Sequence, residues 1–322
     1  MSEFSIIDKF FNNKKHHRND VLLGVGDDCA LLRVPQQYTL ATTIDTMVEN
    51  VHFLPNVDPY DLGYKSLAIS LSDLAAMGAK PTWATLAITL PHDNKTWLQN
   101  FSKGFFSLIK KFSLELVGGN TTRGSLTITT QLHGFLPKQK ALRRDTAKVG
   151  DLIFVSGTLG DAGLALQHLL SQTKIMQQDQ SYLLHRLNRP EPRVAEGIAL
   201  LDIAHAAIDI SDGLAADLSH ILERSNVGAT INIEKLPLSP PLLRNASLKN
   251  AQKLALNAGD DYELCFTVPQ RKLPQLKNIS KYFNCGFTLI GKIDKKSGLR
   301  IKHNDGKIMH LDSLGYEHRW ET

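Results

Sequence analysis

The chain has 322 residues, is 42% hydrophobic and 21% charged, and carries a net charge of +5. That length suits two domains of ordinary size, and the composition is that of a globular protein, which excludes disordered and fibrous classes. No apolar run approaches the ~18 residues of a membrane span. The start, MSEFSIIDKFF, has acids at Glu3 and Asp8 and lacks the apolar core of a signal peptide, so a cytoplasmic protein without a membrane partner is expected.

The elements read as follows in chain order. Residues 37–45 form a strand. Residues 58–81 form a helix with Asp58 at its N-cap, Pro59 at its first position, Gly78 near its C-terminal end and Pro81 beyond it. A strand over 83–91 follows, then a helix over 97–112 with apolar residues at helical spacing. LELVGG and SLTITTQLHGFLP are two strands around a glycine-rich loop, GGNTTRG (118–124). The polar, basic stretch 138–150 reads as a linker between domains at 1–137 and 151–322. Beyond it come strand LIFVSG, helix GDAGLALQHLL, helix RVAEGIALL, strand AAID, helix SDGLAADLSHILERS, and strands ATINIEKL, YELCFTV and FTLIGKI. A hairpin about Asp305-Gly306 closes the second half. Both halves mix strands and helices without strict alternation. The fold class is therefore α/β of the α+β type, two domains each with a mixed or antiparallel sheet and helices, rather than a doubly wound sheet.

The basic residues are scattered and lack interleaved aromatics, which argues against nucleic acid. Cys29, Cys265 and Cys285 have no CxxC spacing and sit in apolar stretches, so they read as buried, reduced thiols. The chemistry lies in aspartates set against apolar segments: GVGDDCALL, TTIDT, SLSDLAAMGAKP, IDISDG and AGDDYELCF. Adjacent carboxylates repel by ~4 kcal/mol at 4 Å and an effective dielectric near 20. Asp73 lies in the last turns of its helix, where the macrodipole disfavours an anion. Each site has an ordinary alternative: a turn for Asp27-Asp28, a cap for Ser211-Asp212, a solvated position for Asp73, a packed strand position for His52. Taken together, hard oxygen ligands with almost no His or Cys point to Mg²⁺ or Ca²⁺. Magnesium held by carboxylates usually shares its shell with phosphates, and the GGNTTRG loop could bring N–H groups, hydroxyls and Arg123 to a phosphate. No P-loop, nucleophile elbow or HExxH is present.

In this order GVGDDCALL, SLSDLAAMGAKP, GGNTTRG, AIDISDGLAADL and GDDYELCFTVP resemble the thiamine-monophosphate kinase family, from about Glu3 to Tyr316. The wider superfamily includes aminoimidazole ribonucleotide synthetase and selenophosphate synthetase. The resemblance implies a PurM-like architecture, a homodimer joined through N-terminal-domain sheets, and ATP bound between domains. It implies transfer of the γ-phosphoryl group of ATP, as co-substrate, to thiamine monophosphate. Carried over by position, Asp28, Thr43, Asp45, Asp73, Asn120, Asp209 and Asp212 would hold several Mg²⁺ ions. Gly119, Asn120, Arg144 and Ser211 would contact ATP, and His52, Asp260 and Trp320 the thiamine phosphate. No residue is implied as nucleophile or general base. Three positions depart from the family pattern: Asn120 replaces an Asp, Ile44 removes a side-chain oxygen, and Asp260 is one methylene shorter than the usual Glu. The alternatives are another ATP-dependent enzyme of the superfamily, or a nucleotide- and metal-binding protein without turnover.

Overall fold

A computed structural model of the chain describes residues 1–12, 18–309, 315 and 316. It divides into two compact units, Met1–Leu74 with Ala79–Lys140, and Ala75–Gly78 with the chain from Ala141 onward.

In the first unit a short helix α1 (Glu3–Ile6) runs into a π-type turn over Ile7–Phe11. Strands β1 (Val21–Leu23) and β2 (Leu31–Leu32) pair antiparallel on either side of the Gly-Asp-Asp turn. Then follow β3 (Tyr38–Val48), α2 (Pro59–Met77), β4 (Lys80–Leu90), α3 (Lys95–Lys111), β5 (Glu115–Arg123) and β6 (Thr127–Pro137). The four long strands form one mixed sheet in the order β3-β6-β4-β5, antiparallel except for the parallel pair β4/β5.

The punctuation of α2 is as the sequence predicts. Asp58 Oδ1 accepts from the backbone N–H of Tyr60 at 2.9 Å and of Asp61 at 3.3 Å. At the other end Gly78 N–H donates to Ala75 O and Ala79 N–H to Leu74 O, the paired bonds of a Schellman cap. Helices α2 and α3 touch backbone to backbone. A Cβ on Gly63 would lie 2.1 Å from Phe101 O, and one on Gly104 would lie 1.9 Å from Tyr60 O.

The second unit comprises β7 (Leu152–Ser156), α4 (Asp161–Leu169), α5 (Gln177–Asn188), α6 (Val194–Leu200), β8 (Ala206–Asp209), α7 (Leu214–Ser225), β9 (Gly228–Asn232), α8 (Pro240–Asn245), α9 (Leu248–Asn257), β10 (Leu264–Val268), α10 (Leu273–Ser280), β11 (Phe287–Asp294), β12 (Gly298–Lys302) and β13 (Ile308–Met309). Its seven-stranded sheet has the order β13-β12-β9-β11-β7-β10-β8, with only β12/β9 parallel. Ile153, Val155, Ile208, Leu218, Ile221, Cys265 and Ile290 belong to one buried core between sheet and helices. Both units are thus α+β with mixed sheets, and the hairpin about Asp305-Gly306 is present.

Three expectations change. GGNTTR is not a loop but the second half of β5, in parallel register with β4. Glycine is required there by close approach, since a Cβ on Gly119 would sit 1.9 Å from Leu86 O. The strand expected from Tyr262 begins at Leu264, because Asp260 (φ 67°) and Tyr262 (φ 49°) are left-handed and make a turn. Cys265 is buried and Cys285 half-buried, but Cys29 is exposed, because its segment forms only the two-residue strand β2. Among the described residues no helix is long and apolar enough to cross a membrane.

Candidate active site

The first unit builds a crossed pair of carboxylates. Along β3 side chains alternate in direction, so Thr43 and Asp45 share a face and Ile44 points to the other, where it is 63% exposed. On α2, Ser70 and Asp73 are three residues apart and also share a face. The Thr43 hydroxyl donates to Asp73, and the Ser70 hydroxyl donates to Asp45 Oδ2 at 2.6 Å. Burial, and then the Asp73 carboxylate, push Asp45 up to about 6, against the Ser70 hydrogen bond. Ser70 is fully buried and also reaches Thr130 O. Sequence reasoning missed it, although its spacing from Asp73 was the available signal.

The other predicted residues of this unit lie apart from that pair. Asp28 is exposed in the turn between β1 and β2, where its N–H donates to Asp27 Oδ1. His52 sits in the turn after β3 rather than in a strand. Its Nδ1 accepts from Val48 N–H at 3.0 Å, so the neutral ring carries its proton on Nε2. Gly119 shares a cross-sheet row with Leu86, Thr130 and Asp45. Asn120 is one residue further, in the row of Ala87, Thr129 and Thr46, and therefore on the opposite face from Asp45. Two strands separate it from β3.

In the second unit, Asp209 ends β8 and is buried. The loop Ser211-Asp212-Gly213 follows and leads into α7. Asp217, in the first turns of α7, folds back under this loop. Its Oδ2 accepts from the N–H groups of Ser211, Asp212 and Gly213, each at 3.1 Å. Burial, the leading cause, and the nearby Asp212 push Asp217 up to about 7 against those donors. Asp260 lies in the neighbouring turn, with its N–H on Ser211 O at 2.9 Å; Tyr262 N–H donates to Ile210 O at 2.8 Å. Arg144 is exposed in the segment before β7. Trp320 lies outside the described residues.

Behind the Asp260 turn lies a buried charged network. Glu263 accepts from Arg193 through two bonds of 2.6 and 2.7 Å, from Arg186 at 3.1 Å and from Ser156 at 2.6 Å. Asp261 accepts from Gly160 N–H at 2.8 Å, and burial pushes it well above the ordinary carboxylate range despite Arg186. Sequence reasoning missed both this network and Asp217. Arg186 and Arg193 meet Glu263 across 77 and 70 residues, and no local pattern announces such a contact.

The donor set suits a hard divalent cation. Asp45 and Asp73 are acids held close together on facing elements, and oxygen is their only donor type. Among the described residues no three His, Cys, Asp or Glu side chains converge on one metal position. A pair of carboxylates without a full cage is the arrangement that holds Mg²⁺ jointly with substrate phosphates.

Residues 26–136 match the model of the AIR synthase related protein N-terminal domain, and residues 148–304 that of its C-terminal domain. Thiamine-monophosphate kinase from Buchnera aphidicola of Acyrthosiphon pisum is 47% identical over 321 residues, 98% of each chain. The enzyme from Escherichia coli K12 is 46% identical over 317 residues, again 98% of each. Among solved structures, thiamine-monophosphate kinase from Stenotrophomonas maltophilia superposes with a TM-score of 0.85 at 43% identity, covering 91% of this chain and 93% of that one. A complex of AaThiL with AMPPCP and TMP gives a TM-score of 0.78 at 32% identity, covering 89% of both. With that identity running through both units, this chain belongs to the thiamine-monophosphate kinase family.

Proposed function

We propose that this protein transfers the γ-phosphoryl group of ATP to thiamine monophosphate, giving thiamine diphosphate and ADP. The observation that carries the reading is identity of 46–47% to thiamine-monophosphate kinases across 98% of the chain. The Asp45/Asp73 pair and the 209–212 and 260 segments all lie inside that match.

The chain's own groups suit the reaction. The acceptor is a phosphate monoester whose second pKa is near ~6, so it is largely a dianion at neutral pH and needs no base. The difficulty is holding two polyanions together. Asp28, Thr43, Asp45, Asp73, Asn120, Asp209 and Asp212 would hold Mg²⁺, which when bound neutralises phosphate charge and orients the reacting oxygens. Gly119, Asn120, Arg144 and Ser211 face ATP in this reading. His52, with its proton on Nε2, donates to the acceptor phosphate, while Asp260 and Trp320 complete the thiamine side. The test is a coupled assay of ADP with thiamine diphosphate measured by chromatography. Turnover only with an acceptor of another superfamily enzyme, or ATP binding without ADP over hours, would replace this reading.

The working unit in this proposal is a homodimer. Among the described residues β3 and β5 each pair on one side only, and one sheet face exposes Thr42, Ile44, Thr46 and Ala87. Within one chain Asn120 is two strands removed from β3. If the β5 edge of a second copy pairs with β3, the strand that carries Asn120 comes one strand spacing, ~4.8 Å, from the strand that carries Asp45, instead of two strands away. Asn120→Asp should then lower the Mg²⁺ concentration for half-maximal rate by about 3- to 10-fold, because much of the gross attraction is offset by desolvation and repulsion. The measurement is a Mg²⁺ titration of initial rate, with the mass of each protein checked by light scattering. An unchanged or higher Mg²⁺ requirement removes Asn120 from the metal set, and an unchanged effect in a monomer removes the cross-copy geometry.

A further inference from the structure

The loop Ser211-Asp212-Gly213 spends all three of its N–H groups on one oxygen, Asp217 Oδ2. Its carbonyls point elsewhere. Ser211 O accepts the N–H of Asp260 at 2.9 Å, and Asp212 O accepts the N–H of Tyr316 at 3.0 Å. The loop therefore fixes two other segments: the turn carrying Asp260 and the stretch of chain at Gly315-Tyr316. The left-handed backbone of Asp260 and Tyr262 needs such support, since a non-glycine residue is disfavoured in that region. Gly259 packs against the same carbonyl, its position leaving only 2.3 Å between a Cβ and Ser211 O. Asp217 itself is 3% exposed, so it can act on a substrate only through the loop above it.

We infer that Asp217 is a positioning residue for both substrates: by collecting three N–H groups it sets the loop that presents Ser211 and Asp212, and through that loop's carbonyls it sets the Asp260 turn. This rests on the functional reading above, in which Ser211 and Asp212 serve the nucleotide side and Asp260 the thiamine side. The role needs an acceptor oxygen at one place and does not need a charge. An amide oxygen can replace it; a carboxylate displaced by one methylene cannot.

Three variants separate this from a role in stability alone. Asp217→Asn keeps the acceptor where it is, and kcat/KM for both ATP and thiamine monophosphate should stay within about 3-fold of wild type, since a neutral acceptor still satisfies the donors. Asp217→Glu keeps the charge but moves the oxygen, and both KM values should rise about 10-fold or more. Asp217→Ala leaves three donors unmet, that of Gly213 buried and those of Ser211 and Asp212 partly so, and kcat/KM should fall about 100-fold, the scale of a misplacement near 1 Å. Rates are read well below each variant's own Tm. If Asp217→Ala does not fold, the ranking of Asn over Glu is the test. Asn as damaging as Glu or worse would show that charge matters and overturn the inference. A lowered Tm with wild-type KM values in the Glu or Ala variant would also overturn it, leaving a structural role. Absence of any turnover by wild type with ATP and thiamine monophosphate would instead sink the functional reading, which keeps the two failures distinct.

Discussion

Asp73→Asn is expected to abolish turnover, with a loss of about 1000-fold or more at saturating Mg²⁺, while the protein stays folded. The side chain keeps its shape, and its amide oxygen can still accept from Thr43. What disappears is one of the two charges of the crossed Asp45/Asp73 pair. A pair with oxygen donors on facing elements holds Mg²⁺ by charge as well as by geometry, and a neutral amide supplies no charge. The metal-free protein should respond in the opposite sense. Asp45 is pushed up to about 6 by burial and by Asp73. A carboxylate raised in the folded state costs stability as pH climbs from its unfolded value to its folded one, and the cost persists above that. Removing the Asp73 charge relieves part of it, at most about 3 kcal/mol, since each pH unit by which a carboxyl is displaced is worth ~1.36 kcal/mol. Relief from the macrodipole adds a few tenths. In EDTA the variant should therefore melt higher than wild type above about pH 6, and the difference should shrink towards pH 4. Near-wild-type turnover at saturating Mg²⁺ would take Asp73 out of the site.

How much of this was legible depends on distance along the chain. The α2 caps, the alternation that puts Thr43 and Asp45 on one face, and the hairpin at Asp305-Gly306 follow from local rules, and the structure contains them. Local rules also misled. Two adjacent glycines suggest a turn, yet Gly118 and Gly119 lie in a strand, and at Gly119 β4 passes too close for a side chain. A polar segment such as QQDQSYLLHRLN carries a weak helical pattern, so α5 does not stand out in the sequence although it supplies Arg186. The supports of the site were the least visible. Asp217 lies four residues inside its helix as an ordinary acid in LAADLSH, and only the fold of the preceding loop gives it three donors. Glu263 was visible only as the end of a motif, its partners being 70 or more residues away or on another strand.

Glu263→Gln is expected to destabilise the fold by about 3–5 kcal/mol, the usual cost of breaking a buried ion pair by removing one charge. The side chain is wholly buried and takes four hydrogen bonds, three of them from guanidinium groups. Burial acts to push Glu263 up, but Arg193, with Arg186 and Ser156, wins and holds it below the usual carboxylate range. Glutamine keeps one acceptor oxygen and turns the other position into a donor facing Arg193, which is itself a donor. Two buried guanidiniums then lose their shared anion, and Asp161 is the one remaining carboxylate in an ion pair with Arg186. At ~2–4 °C per kcal/mol for large domains, Tm should fall by roughly 10 °C. The pH dependence has a definite sign. A carboxylate held low in the folded state contributes stability that is present above its unfolded value near 4.5 and is lost as pH falls towards the folded value. Wild type and variant should therefore differ most at neutral pH and converge as the solution is acidified below about 4.5. Because β10 begins at Leu264, directly after this residue, the Asp260 turn loses its inner anchor as well, and KM for thiamine monophosphate should rise more than KM for ATP. Thermal melts from pH 7 to pH 4, read beside the two KM values, decide the matter. A Tm within about 2 °C of wild type at pH 7 would mean that the arginines find other partners and that the network is not what anchors the turn.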